Sequence, residues 1–171
     1  MIKKRIFVAQ RQIYSQIKPK IKMFLLQIPE AELDIIQKDQ KLWVWDIIRQ
    51  KHVILTPEEY VRQELIHYFV EELGYPKSRI GVEKKLEYTS EISKRTDIVV
   101  YDAHLNPWLL VECKSTEVML NEDAWAQIAT YQSILQAPYL ALCNGIEALI
   151  GAKNQQTAAY ELIEGFPMYP N

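Results

Sequence analysis

Three charged residues on two consecutive predicted strands have the chemistry to bind a metal ion beside a phosphate. Asp97 lies in one apolar segment, and Glu112 and Lys114 lie at the end of the next. Both segments are rich in β-branched and aromatic residues, and an Asn-Pro pair between them favours a turn. If the turn is centred at 104–105, antiparallel pairing joins residues whose numbers sum to about 209. The spacing therefore predicts that Asp97 lies opposite Glu112.

Side chains alternate between the two faces of the second strand, which places its charged residues and its cysteine on opposite faces. Glu112 and Lys114 share one face, and Cys113 points to the other. Carboxylate oxygens are the ligands that Mg²⁺ prefers, and a lysine ammonium stabilises developing negative charge. We expect the carboxylates of Asp97 and Glu112 to share one ion. We also expect Cys113 to be buried and not bonded to Cys143.

The helix that precedes these strands has a clear start and a clear end. Residues 56–59 read Thr-Pro-Glu-Glu, which is typical of a capping box with proline at the first helical position. The helix is predicted to run to about Leu73, where Gly74 suits its C-cap. We interpret Glu59 as the capping residue, and we expect Glu64 to lie toward the polar edge.

Helical phase places an acid and a base of this helix on its apolar face. Glu58 and Arg62 lie one turn apart, near the middle of that face. In one interpretation Glu58 is a third acidic group near the metal, and Arg62 orients it or a phosphate. In the other, which we favour slightly, the two form a structural ion pair at the helix start, where an acid also suits the helix dipole.

A second helix, predicted from 121 or 122 to 135, follows the strands. Gln127 and Tyr131 lie four residues apart on it and therefore share a face. Both are expected to face the same cleft as Glu112. The alternative is a tyrosine packed on the sheet with a glutamine bonded to backbone.

Composition sets the limits of the fold. The 171 residues carry a net charge of −2, which argues against a generally basic nucleic-acid coat but allows a local basic groove. Residues 23–171 are expected to form one domain. Residues 1–22 hold seven Lys or Arg and no acid, which suits either a phosphate-binding arm or a non-native extension before Met23. No signal peptide or membrane-spanning run occurs, so the cytoplasm is the expected location.

An acid on one strand followed by Glu-x-Lys on the next resembles the pattern of the PD-(D/E)XK nuclease superfamily, with Thr96 in place of the proline. Further motifs occur in the order seen in a narrower family, a stand-alone version of the N-terminal nuclease domain of type I restriction enzyme R subunits. The resemblance runs from Leu26 to the C-terminus. It rests on Trp45–Arg49, Leu55–Gln63, Gly74–Pro76, Asp97, Leu110–Lys114, Gln127–Tyr131 and Cys143–Gly145.

The resemblance implies a fold and a reaction. The fold is an α/β restriction-endonuclease-like core, with a central mixed sheet flanked by helices in the order α-β-β-β-α-β. The reaction is Mg²⁺-dependent hydrolysis of DNA phosphodiester bonds in restriction or DNA processing, with Mn²⁺ as an alternative ion. Asp97, Glu112 and the Cys113 carbonyl would hold the metal, and Lys114 would position a water or neutralise the transition state. Gln127 and Tyr131 would lie beside the carboxylates.

Several alternatives stay open from the sequence. The three charged residues could form a strand-edge salt bridge, or the domain could be a catalytically silent module for nucleic-acid binding or assembly. The sequence contains no Walker A loop. A motor or methylase partner would therefore have to act in trans, and a homodimer is a further option.

Overall fold

The computed structural model describes residues 24–26, 28–87, 93–132 and 136–170, so the basic segment 1–22 lies outside the described residues. The described residues form ten strands, two α-helices, a π-helical segment and a 3₁₀ turn. In chain order these are β1 (Phe24–Leu25), β2 (Ile35–Lys38), β3 (Lys41–Asp46), β4 (Lys51–Ile54), α1 (Pro57–His67), the π segment (Tyr68–Glu72), the 3₁₀ turn (Lys77–Arg79), β5 (Ile80–Glu87), β6 (Ser93–Tyr101), β7 (Pro107–Cys113), α2 (Glu122–Gln132), β8 (Tyr139–Cys143), β9 (Glu147–Lys153) and β10 (Tyr160–Leu162).

Seven strands form the central sheet in the order β1-β9-β8-β7-β6-β5, with β10 also paired to β9. β7 and β8 run parallel, whereas the other neighbours run antiparallel. The element order α1-β5-β6-β7-α2-β8 is the one predicted. The restriction-endonuclease-like core, a mixed sheet between helices, is therefore confirmed.

The two helices cover opposite faces of this sheet. On one face, α1 and the π segment pack through Leu65 and Phe69 against strand residues such as Val111. On the other face, α2 packs through Ile128 against residues such as Leu110. Strands covered on both faces read as continuous apolar runs, which is why β6 and β7 were recognisable in the sequence.

Helix α1 begins where the sequence predicted, and the helical run ends close to the predicted position only when the π segment, which ends at Glu72, is included. The Thr56 hydroxyl accepts a hydrogen bond from the backbone N–H of Glu59 at 3.0 Å, which is half of a capping box. The other half is absent, because the Glu59 carboxylate binds elsewhere and the Thr56 N–H donates to the Ile54 carbonyl. Gly74 has φ of +68°, as the predicted C-cap requires. The π segment before it was not predicted.

A second, three-stranded antiparallel sheet, β2-β3-β4, lies before the core. Val44 and Asp46 on β3 are fully buried, whereas all four residues of β2 are exposed. In the part of the chain that is described, no helix is long and apolar enough to cross a membrane.

Candidate active site

The hairpin β6–β7 has the register that the sequence predicted. Ile98 pairs with Val111, and the pairs that follow continue the same register until an irregularity near the turn. Extending this register by one pair, away from the turn, places Asp97 level with Glu112. Side chains level with each other on antiparallel strands have Cβ atoms about 5 Å apart. The two carboxylates therefore lie at the same end of the sheet.

Asp97 is held at that end by two donors. Its Oδ2 accepts the backbone N–H of Cys113 at 2.7 Å, and its Oδ1 accepts from Nη2 of Arg62 at 2.7 Å. Arg62 is buried in α1. The carboxylate of Asp97 is therefore fixed both by the neighbouring strand and by the helix.

Lys114 lies among three carboxylates. Its ammonium is 3.0 Å from Oε1 of Glu112. Burial tends to lower the pKa of Lys114, but the hydrogen bond and charge of Glu112, with the charges of Glu58 and Asp97, raise it above its usual value. The lysine is therefore a protonated cation at neutral pH.

Glu58 on α1 pairs with Arg62 and interacts electrostatically with the same group of charged residues. Burial raises its pKa, and the negative charges of Asp97 and Glu112 raise it further, against the opposing effect of Lys114 and Arg62. The structure corrects one expectation. Glu58 does not lie in the middle of the buried face, because its side chain is 47% exposed and its carboxylate is 3.6 Å from Arg62.

The buried acid of α1 is Glu59, which we had interpreted only as a capping residue. Its side chain is 7% exposed and lies between two guanidinium groups. Oε2 accepts from Nη1 of Arg62, and Oε1 accepts from Nη2 of Arg49. Gln63 also donates to Oε1 at 2.8 Å. Glu59 is therefore shared between α1 and the small β2–β4 sheet.

Arg49 comes from the turn between β3 and β4. Its Nε donates to Oδ2 of Asp46 at 2.5 Å, and its Nη1 donates to Glu83 on β5 at 2.7 Å. Burial tends to raise the pKa of Asp46, but hydrogen bonds from Arg49 and Gln63 outweigh this and lower it. We name the connected side chains Asp46, Arg49, Glu59, Arg62 and Asp97 the buried ionic chain.

The buried ionic chain was not predicted, although the sequence contains two signals for it. Polar residues interrupt an otherwise apolar stretch at Asp46 and Arg49, and buried charges need partners. The burial of Glu64 also differs from the prediction. Glu64 is 9% exposed rather than at the polar edge, and its Oε2 accepts from the backbone N–H of Ala31.

The predicted residues of α2 have a different outcome. By alternation along β7, Glu112 shares the sheet face of Leu110, which packs against α2. The helix is thus on the predicted side, but the side chain of Gln127 is exposed. The side chain of Tyr131 lies outside what the structure describes. A role for either residue stays a prediction.

The expectations for the cysteines are confirmed. Cys113 and Cys143 are both buried and free, and they lie level on the parallel strands β7 and β8. Cys113 packs into the α1 side of the core, on the face opposite Leu110 and therefore opposite Glu112. Burial raises the pKa of the Cys143 thiol to about 12.

The predicted metal ligands are hard oxygen donors that fit Mg²⁺. Among the described residues, no three His, Cys, Asp or Glu side chains are arranged to hold a metal ion. The predicted set needs two carboxylates, Asp97 and Glu112, and one carbonyl, that of Cys113. Each Asp97 oxygen accepts one hydrogen bond and retains a second lone pair.

The family described as Type I restriction enzyme R protein N terminus (HSDR_N) matches residues 57–167 of the 171. The match begins at the first residue of α1 and includes Asp97, Glu112 and Lys114. Comparisons with curated proteins and with solved structures gave no significant match. Asp46 and Arg49 lie before the matched range.

Proposed function

Because this chain belongs to the type I restriction enzyme R protein N-terminal family, we propose that it is a Mg²⁺-dependent nuclease that hydrolyses phosphodiester bonds in DNA. One observation carries the proposal. The β6–β7 register pairs Ile98 with Val111, so that Asp97 and Glu112 are the next residues of the two strands at one end of the central sheet, and the ammonium of Lys114 is 3.0 Å from the Glu112 carboxylate. Two acids and a cation at such a point are the groups that metal-assisted phosphoryl transfer needs.

The metal-holding residues in this proposal are Asp97, Glu112 and the carbonyl of Cys113. When bound, Mg²⁺ would polarise the scissile phosphate and lower the pKa of a coordinated water. Mn²⁺, which also takes oxygen ligands, is expected to substitute. Arg62 and the Cys113 N–H hold Asp97 in place before any ion arrives, so the binding oxygens need little reorganisation.

Lys114 is proposed to act as a cation and not as a general base. Its pKa is raised by Glu112, Glu58 and Asp97 despite partial burial, so it carries a positive charge at neutral pH. A charged ammonium cannot take a proton from water. Lys114 is therefore proposed to position the water through a donated hydrogen bond or to stabilise the negative charge that develops on the phosphate.

The test uses pure protein with plasmid and oligonucleotide DNA in Mg²⁺, Mn²⁺ or EDTA. Lys114→Ala and Glu112→Ala, prepared in parallel, control for contaminating nuclease. We expect cleavage by the wild-type chain in either metal, none in EDTA, and none by the two variants. Equal cleavage by Lys114→Ala would overturn the proposal. DNA binding with no cleavage in any metal would support the silent module instead, unless addition of a motor or methylase partner restores activity.

A further inference from the structure

The β2–β4 sheet lies before the family match, yet its β3–β4 turn contributes a partly buried arginine, Arg49, to the surroundings of Asp97. We propose that Arg49 is a positioning residue, which fixes Arg62 through Glu59 and thereby holds Asp97 in its site. The catalytic consequence rests on the proposed nuclease function. The positioning itself is a property of the folded chain and can be tested without metal or DNA.

The first step is the anchoring of Arg49. Asp46 is fully buried, and its Oδ1 accepts the backbone N–H groups of Ile48 and Arg49, each at 2.7 Å. Its Oδ2 accepts from Nε of Arg49. The turn and the guanidinium are thus tied to one carboxylate, which leaves the two terminal nitrogens of Arg49 aimed at Glu83 and Glu59.

The second step is the division of Glu59 between two arginines. Oε1 is occupied by Arg49 and Gln63, so Oε2 alone accepts from Arg62. Arg62 donates to Glu59 through Nη1, and its Nη2 is left for Asp97 at 2.7 Å. Charges alternate along the buried ionic chain, and each contact is a charge-assisted hydrogen bond in a buried setting, where such bonds are strong.

Loss of Arg49 would change this division. Oε1 of Glu59 would then keep only the hydrogen bond from Gln63 and could accept a second donor. Arginine pairs preferentially with a carboxylate through two parallel hydrogen bonds. Arg62 would turn toward Glu59 and away from Asp97. Asp97 would keep the Cys113 N–H as a donor but lose the cation that restrains its orientation.

The backbone amide of Cys113 reports on this directly, because it donates to Oδ2 of Asp97 at 2.7 Å. We would record its ¹H–¹⁵N shift and hydrogen-exchange rate in EDTA, with the amide of Leu110 as an internal reference. In Arg49→Met, Cys113 should shift and exchange about tenfold faster relative to Leu110, the effect of weakening one charge-assisted hydrogen bond. The matched control is Arg95→Met. Arg95 also pairs with Glu83, but at 3.3 Å and with 69% exposure, so Cys113 should be unchanged.

An unaltered Cys113 amide in folded Arg49→Met would overturn the inference. If Arg49→Met does not fold, Arg49→Lys, which keeps the charge but not the planar fork, is scored on the same amide with the same two outcomes. For cleavage, Arg49→Met should lower kcat and leave KM for DNA unchanged. If the Cys113 amide responds to Arg49→Met but the wild-type chain cleaves no DNA, the positioning is supported and the nuclease proposal is refuted. If the wild-type chain cleaves DNA but the Cys113 amide does not respond to Arg49→Met, the nuclease proposal is supported and the positioning is refuted.

Discussion

The two helices that cover the central sheet are equal in length but bury very different side chains. Both have 11 residues. Helix α1 buries Glu59, Arg62 and Gln63 against its face of the sheet, whereas α2 packs through apolar residues such as Trp125 and Ile128. Burying charge is costly unless every group is paired. The difference supports the proposal that α1 positions the site residues, while α2 mainly completes the core.

Stability alone does not account for the charged residues that α1 buries. A buried ion pair is often no more stabilising than apolar residues of the same volume, although removal of one partner is strongly destabilising. The buried ionic chain instead connects Asp97 to a separate sheet. We infer that it orients a carboxylate, and the following substitutions test this.

The largest expected effect is on cleavage. Glu112→Ala removes a proposed metal ligand and the partner of Lys114, so DNA cleavage in Mg²⁺ should fall at least about a hundredfold. The melting temperature should change little, because Glu112 lies at the strand end rather than in the core. The exposed Glu122→Ala is the matched control and should cleave normally. Cleavage retained by Glu112→Ala would remove the site.

Arg62→Met should have the largest effect on stability. It leaves Glu59 and Asp97 buried without their shared cation, at a cost of about 3–5 kcal/mol in the free energy of unfolding. Urea denaturation measures this. Arg95→Met, an exposed arginine, should change that free energy by less than about 0.5 kcal/mol. Similar values for the two variants would contradict the buried role of Arg62.

Ile128→Ala tests the role of α2, which covers the other face of the central sheet. Ile128 is 4% exposed, and truncation should lower the free energy of unfolding by about 2–4 kcal/mol through lost burial and a cavity. Cleavage per folded molecule should stay at the wild-type rate below the melting transition. A loss of kcat in fully folded Ile128→Ala would show that α2 serves the chemistry as well.

Glu58→Gln gives a smaller effect that separates its two interpretations. The side chain is nearly half exposed, so its pair with Arg62 contributes little to stability. Removing one negative charge beside Asp97 and Glu112 should weaken Mg²⁺ affinity about threefold to tenfold, with the melting temperature nearly unchanged. Both are measured on one sample. Unchanged affinity with a lowered melting temperature would leave Glu58 as scaffold.

The smallest expected signal is thiol labelling. Burial raises the pKa of both Cys113 and Cys143, so little thiolate forms in the folded protein between pH 7 and 9. A thiol reagent should label both slowly at pH 8, and rapidly once urea unfolds the chain and the thiols titrate near 9 again. Rapid stoichiometric labelling of native Cys113 would show that its thiol is exposed. It would then contradict the strand register that also positions Lys114.

Local patterns were sufficient for the hairpin and for the order of elements. Period-two alternation and one turn signal predicted the pairing of β6 with β7, because a one-residue slip would have moved every apolar side chain to the wrong face. The position of Asp97 opposite Glu112 followed from that register. The ends of α1 followed from Thr56, Pro57 and Gly74 for equally local reasons.

Only the tertiary structure decided which acid of α1 is buried and which faces the site. Neighbouring helical residues differ by 100° in direction, and a helix that buries charged residues shows a weak apolar pattern, so helical phase assigned Glu58 the place of Glu59. The partners that settle the question are distant in sequence. Arg49 lies 10 residues before Glu59, and Asp97 lies 35 after Arg62. The sequence therefore determined the β6–β7 hairpin, whereas the packing of α1 against the central sheet and the β2–β4 sheet determined which side chains hold Asp97.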